Sequence, residues 1–221
     1  MSQETAATAG FYGKLPYLGD FVSRRLPADF VKPWDLWLRE SLAESQGRLG
    51  DAWLATYLTS PLWRFVLTPG IAGQTSWAGA LMPSVDRVGR YFPLTLACPV
   101  AVDADPLRLL GETGWFERLE AVMLSGLEEA SSLARFDARV QGLDAPPATA
   151  RPGLHPDALG QARFNAWRIP AASPAALTGR CSVLLSLALE QVFCSFSLWW
   201  PSGSERVPPS ALVCQGLPPT A

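Results

Sequence analysis

The densest group of polar side chains in this sequence lies between Met82 and Pro93, in the stretch MPSVDRVGRYFP. It offers a hydroxyl at Ser84, a carboxylate at Asp86 and guanidinium groups at Arg87 and Arg90. Arginines can hold a phosphate through paired N–H donors, and a serine near a base can become a nucleophile. Neither chemistry is complete here. The single histidine, His155, stands between Leu154 and Pro156 in a proline-rich connection, where a surface loop residue is the favoured reading over a general base. Asp86 and Arg87 are adjacent and do not simply pair with each other. The favoured reading is that each fixes the loop locally or pairs with another element, ahead of direct contact with a partner.

Two further polar residues belong with this group. Gly13-Lys14 lacks the upstream glycines and the following hydroxyl of a phosphate-binding loop. Gly13 relieves crowding in an extended segment while Lys14 reaches water or a neighbouring acid, with partner contact the second reading. Asp20, after Gly19, is first a turn residue whose side chain bonds nearby backbone N–H groups. Cys98, Cys181, Cys194 and Cys214 lie in apolar stretches without C-x-x-C spacing, so buried free thiols are expected. No metal, cofactor or catalytic set is expected.

Composition narrows the class. In 221 residues nearly half are apolar and nine are Trp, enough for a substantial core. A net charge of −2 gives no electrostatic case for nucleic acid. Residues 101–150 carry nine acids against four arginines, which reads first as a solvated helix surface. No apolar run reaches the ~18 residues of a membrane span, and no leader opens the chain, so a cytoplasmic location is expected.

The elements that must position the polar group follow from hydrophobic period. Residues 1–9 read as a loose tail ahead of one domain over 10–221. Extended segments are expected at Phe11–Pro16, Phe21–Leu26, Leu62–Leu67, Trp77–Leu81, Phe92–Cys98, Phe164–Ile169, Cys194–Trp200 and Leu212–Gln215. Pro33 suits the first turn of a helix with Trp34, Trp37, Leu38 and Leu42 on one stripe, stopped by Gly47 and Gly50. Asp51 can cap a second helix with Trp53, Leu54, Tyr57 and Leu58 inward. Helices are expected over Glu112–Ala130, with Leu127 on its apolar side and Glu120 on its surface, and over Leu133–Val140. Residues 144–157 form a proline-rich connection. Residues 175–190 fit a strand or a buried helix, and their length favours helix. Trp199 and Trp200 must face opposite ways in a strand, which favours burial on both sides. The sum is a three-layer αβα sandwich around a mixed, partly antiparallel sheet.

Four ordered segments carry a resemblance: GFYGKLPYLGDFVSRRLP (Gly10 to Pro27), FVKPWDLWL (Phe30 to Leu38), DAWLATYLTSPLWRFVL (Asp51 to Leu67) and WAGALMPSVDRVGRYFPLT (Trp77 to Thr95). Together with SLWWPSGSERV (Ser197 to Val207) and LVCQGLPP (Leu212 to Pro219), they resemble the TagF/ImpM family of accessory proteins encoded with bacterial type VI secretion systems. The resemblance implies an αβα sandwich and a cytoplasmic, non-enzymatic negative regulator acting after translation. Its implied partner is the forkhead-associated scaffold protein of the apparatus, and any serine/threonine phosphatase in the pathway would be a separate polypeptide. Structural roles are implied for Gly13, Pro16, Gly19, Phe21, Trp34, Trp63, Arg64, Trp77, Pro83, Gly89, Pro93, Trp199 and Trp200. Partner contact would then fall on Ser84, Asp86, Arg87, Arg90, Lys14 and Asp20. An assembly adaptor is the alternative, and an enzyme acting on a phosphorylated ligand is a more distant one.

Overall fold

The computed structural model describes residues 8–101, 104–128, 130–147, 155–156, 167–168, 181–201, 207–208 and 210–220. Its strands are β1 (Gly10–Gly13), β2 (Val22–Arg24), β3 (Trp63–Leu67), β4 (Trp77–Met82), β5 (Leu94–Pro99), β6 (His155–Pro156), β7 (Trp167–Arg168), β8 (Phe196–Pro201) and β9 (Leu212–Gln215). Its helices are α1 (Ala28–Leu49), α2 (Trp53–Leu58), α3 (Thr113–Ser125), α4 (Leu133–Gln141) and α5 (Cys181–Phe193).

Seven strands form one sheet in the order β2-β1-β5-β4-β3-β8-β9. Every neighbouring pair in it is antiparallel. The sheet is therefore not mixed, as the alternation of strands and helices had suggested. The helices do not cross over between parallel neighbours; α1 and α2 lead from β2 at one edge to β3. A separate ladder pairs β6 with β7.

Side chains alternate across a strand, and this splits the core in two. Phe11, Val66, Ala78, Ala80, Met82, Leu94, Leu96, Phe196 and Leu198 share one face with Trp115, Phe116, Leu119 and Met123 of α3 and Phe136 of α4. Leu189 and Phe193 of α5 pack against the same cluster. Tyr12, Phe65, Leu67, Trp77, Ala97 and Trp199 share the other face with Phe30, Trp34 and Leu38 of α1. Helices on both faces of the sheet make three layers. Trp199 stacks at 5.8 Å on Trp34, whereas Trp200 meets Phe116 edge-on at 5.0 Å. The expected two-sided burial of that pair is what the strand shows.

Close packing explains two glycines. A Cβ at Gly79 would stand 2.1 Å from the Leu96 carbonyl oxygen and 2.7 Å from the Phe65 ring. Gly13 has φ +137°, and a Cβ there would meet the Pro93 carbonyl oxygen at 2.1 Å.

Several boundaries move. Helix α1 starts at Ala28, so Pro33 lies inside it rather than in its first turn; the amide missing at Pro33 is one that would bond the Asp29 carbonyl. Gly47 is helical, and Gly50, at φ +49°, is the terminator. Asp51 makes no cap, because a 3-10 turn over Gly50–Ala52 runs into α2. Leu54, Leu58 and Leu127 are exposed rather than inward. Helix α2 is too short to bury more than the Tyr57 side, and α3 ends before Leu127. Glu120 is not a surface charge: Arg64 reaches from β3 and donates to it at 2.6 and 2.9 Å from Nε and Nη2. Ala9, in the segment read as tail, is fully buried, and its carbonyl accepts from Arg25 Nε at 2.8 Å.

The helical choice for 175–190 agrees with α5, although residues 175–180 lie outside the described set. So do 1–7, 148–154 and 157 of the tail and connection, and 164–166 and 169 of the strand expected there. Burial pushes the Cys98 thiol up to about 12.

Trp77 is 4 % exposed, so Trp77→Ala should cost about 3–5 kcal/mol. Trp63, which is partly exposed, should cost less. Urea unfolding followed by circular dichroism measures both, and an unchanged midpoint for Trp77→Ala would contradict the packing described.

Candidate protein-contact site

Strands β4 and β5 lie side by side within the sheet, so the chain between them projects from the sheet end as a hairpin. Val85 and Tyr91 form an antiparallel bridge. Beyond it the Asp86 amide donates to the Arg90 carbonyl at 3.1 Å, and the Gly89 amide donates to the Asp86 carbonyl at 3.0 Å. Gly89 has φ +85°, a left-handed conformation that glycine accepts without a Cβ penalty.

The Asp86 carboxylate is the hub of this tip. Its Oδ1 accepts from the amides of Val88 at 3.0 Å and Arg90 at 2.9 Å. Its Oδ2 accepts from Arg90 Nε at 2.7 Å and lies 3.0 Å from Lys14 Nζ. Lys14 arrives from the end of β1, 4 % exposed, and its ammonium also sits 4.9 Å above the Phe21 ring. Burial alone would push the Asp86 carboxyl up. The Arg90 amide, Lys14, the Arg90 side chain and the Val88 amide outweigh burial and hold it well below the usual carboxylate range.

Other bonds tie the loop to three segments. The Arg87 amide donates to the Leu18 carbonyl at 2.8 Å, and Arg90 Nη2 donates to the Gly19 carbonyl. Ser84 Oγ donates to the Lys14 carbonyl at 2.8 Å. The Tyr57 hydroxyl of α2 accepts from the Ser84 amide at 2.9 Å and donates to the Ser84 carbonyl at 2.8 Å. Burial pushes the Tyr57 hydroxyl up, which keeps the proton it donates. Asp20 Oδ1 accepts from the Phe21 amide at 2.8 Å, the turn role its sequence position suggested.

The residues picked from sequence are thus brought together but divided by depth. Lys14, Ser84 and Asp86 are buried. Asp20, Arg87 and Arg90 are exposed, beside Val88 at 64 % and Phe21 at 39 % exposure. Ser84 Oγ is committed to a backbone carbonyl, and His155 lies in the separate β6–β7 ladder in register with Arg168. Among the described residues no group of three or more His, Cys, Asp or Glu could hold a metal ion, and no helix is long and apolar enough to cross a membrane.

The residues from Gly10 to Leu143 match the TagF N-terminal domain, type VI secretion system-associated, over positions 10–143. This chain belongs to the TagF family. The crystal structure of PA0076 from Pseudomonas aeruginosa PAO1 superposes with a TM-score of 0.81 at 44 % sequence identity, covering 96 % of this chain and 90 % of that one. No curated protein matches the chain. The TagF-like domain is accordingly type VI secretion-associated, and its αβα architecture agrees with the expectation from sequence. Sequence reading missed Tyr57 as the pin of the loop and Glu120 as the partner of Arg64. Each pair is far apart in the chain (27 and 56 positions), and no local pattern links them.

A carboxyl held low in the folded state stabilises fully above its unfolded value and loses that contribution as pH falls toward the folded one. Stability tied to Asp86 should therefore be complete at neutral pH and fade below about pH 4. Asp86→Asn should lower the melting temperature at pH 7 and weaken the acid-dependent fall. Equal acid sensitivity in the two proteins, followed by calorimetry, would remove the hub role.

Proposed function

We propose that this TagF-family chain is a non-enzymatic, post-translational negative regulator of a type VI secretion system that works by binding a component of the apparatus. The forkhead-associated scaffold protein is the proposed partner, with any serine/threonine phosphatase acting as a separate polypeptide. The observation that carries this reading is the pinned loop. A buried carboxylate, lysine and serine hold a tip whose outward side is Arg87, Val88 and Arg90, with Asp20 and Phe21 beside it. Arginine and large apolar groups on a rigid support are what protein hot spots are made of, and preorganisation lowers the entropic cost of association. Lys14, Ser84 and Asp86 act in this reading by holding the surface, and Asp20, Arg87 and Arg90 by touching the partner.

Ser84 and Asp86 lack an arrangement for turnover: the hydroxyl bonds a main-chain carbonyl and the carboxylate is saturated by donors. This supports binding rather than catalysis. The protein would be cytoplasmic, where it meets the inner parts of the apparatus.

Deleting the gene should raise secretion without changing component levels. Reduced secretion would instead point to an assembly adaptor. Arg87 makes only its backbone bond to Leu18 among the described contacts, so Arg87→Ala should weaken capture of the scaffold about tenfold or more with little change in melting temperature. Arg90→Ala should weaken capture and also lower stability, because Arg90 bonds Asp86 and Gly19. Pull-down and calorimetry with the purified scaffold provide the readout, and full capture by Arg87→Ala would rule out this face.

A further inference from the structure

A second feature lies on the α1 side of the sheet, next to the loop. Between α1, α2 and the ends of β3, β4 and β8 runs a cleft of about 330 Å³. Its walls include Trp37, Leu42, Tyr57, Trp63, Trp199 and Pro218, and every described residue lining it is uncharged. Folded interiors leave few gaps larger than a water molecule, and recesses of ~300–1,000 Å³ lined by aromatic and aliphatic groups are the usual form of a small-ligand site.

Four of the polar side chains at this wall are engaged. Trp37 Nε1 donates to the Pro218 carbonyl at 2.9 Å, Trp199 Nε1 donates to Ser197 Oγ at 2.8 Å, and Ser45 Oγ donates to the Leu42 carbonyl at 2.8 Å. Tyr57 is occupied by Ser84. Among the solvent-shielded polar side-chain atoms of the described lining, Ser41 Oγ alone has no hydrogen-bond partner. A shielded hydroxyl left unpaired is costly, so one polar group of a ligand would be held there.

We propose that this cleft binds a neutral, largely aromatic small molecule carrying one hydrogen-bonding group. Charge complementarity selects neutrality, because no lysine, arginine or carboxylate lines the site among the described residues. The indoles of Trp37, Trp63 and Trp199 select an arene through stacked or edge-on contact. The volume sets the size at roughly fifteen non-hydrogen atoms. The hydroxyl of Ser41 fixes the orientation.

N-phenyl-1-naphthylamine, a neutral arene with one N–H, is a direct probe for the purified full chain. It should bind saturably at one site per chain, gaining emission while tryptophan fluorescence is quenched. Ser41→Phe fills the cleft and should weaken binding at least about tenfold, and Ser41→Ala should weaken it several-fold. Leu212→Trp, at a half-exposed lining position, is a second block should Ser41→Phe fail to fold. No saturable binding, or binding unaffected by the blocking variants, would overturn the proposal. So would failure of the dye together with loss of scaffold capture in Ser41→Phe, which would make the cleft a polypeptide-docking groove. The dye titration needs no partner, so its outcome is independent of the contact-face reading.

Discussion

A carboxylate removed from water demands donors, and the Asp86 side chain collects them from both sides of its own hairpin and from β1. That demand organises the whole end of the sheet. Two backbone amides close the tip, Arg90 clasps it from above, and Lys14 approaches from below. Lys14 is itself a buried cation, and Asp86 is the carboxylate that pairs with it there. The Phe21 ring over the ammonium and the Tyr57 clamp on Ser84 complete a unit built from β1, the turn after it, α2 and the β4–β5 connection.

The consequence is a surface with fixed backbone and free side chains. Arg87 and Val88 are exposed while their loop is fixed through backbone bonds, so the tip is held in place without using up its exterior. Behind it the sheet is buried on both faces, with Trp34 and Trp199 stacked on one side and Arg64 paired with Glu120 on the other. The rigidity of the tip is therefore inherited from a core packed tightly enough to require glycine at Gly13 and Gly79.

Much of the architecture was legible from local pattern. Strands β3, β4, β5, β8 and β9 stand out as short apolar runs bounded by Pro and Gly, and the stripe of Trp34 and Leu38 marks the buried side of α1. The opposed indoles of Trp199 and Trp200 called for two covered faces, and the family resemblance pointed to the same layers. What escaped was non-local. Strand direction depends on which strands become neighbours, and β3 pairs with β8 across more than half the chain. The start of α1 was misplaced because Pro33 is tolerated inside a helix whose inner face packs on the sheet. Glu120 looked like one more charge on a charged helix until Arg64 arrived from β3. At the candidate site, sequence picked residues that the fold brings together but could not rank them by depth, since burial of Lys14 and Asp86 depends on partners seventy-two positions apart.

Membership of the TagF family places the protein beside a type VI secretion system, and the loop gives that placement a candidate point of contact. The most direct measurement is hydrogen exchange of the chain with and without the purified forkhead-associated scaffold. Slowed exchange at residues 19–21 and 86–91, with the α3–α4 layer unchanged, is the expected result. Slowing confined to α3 and α4, or no change anywhere under saturating partner, would mean that this hairpin is not where the molecule meets its target.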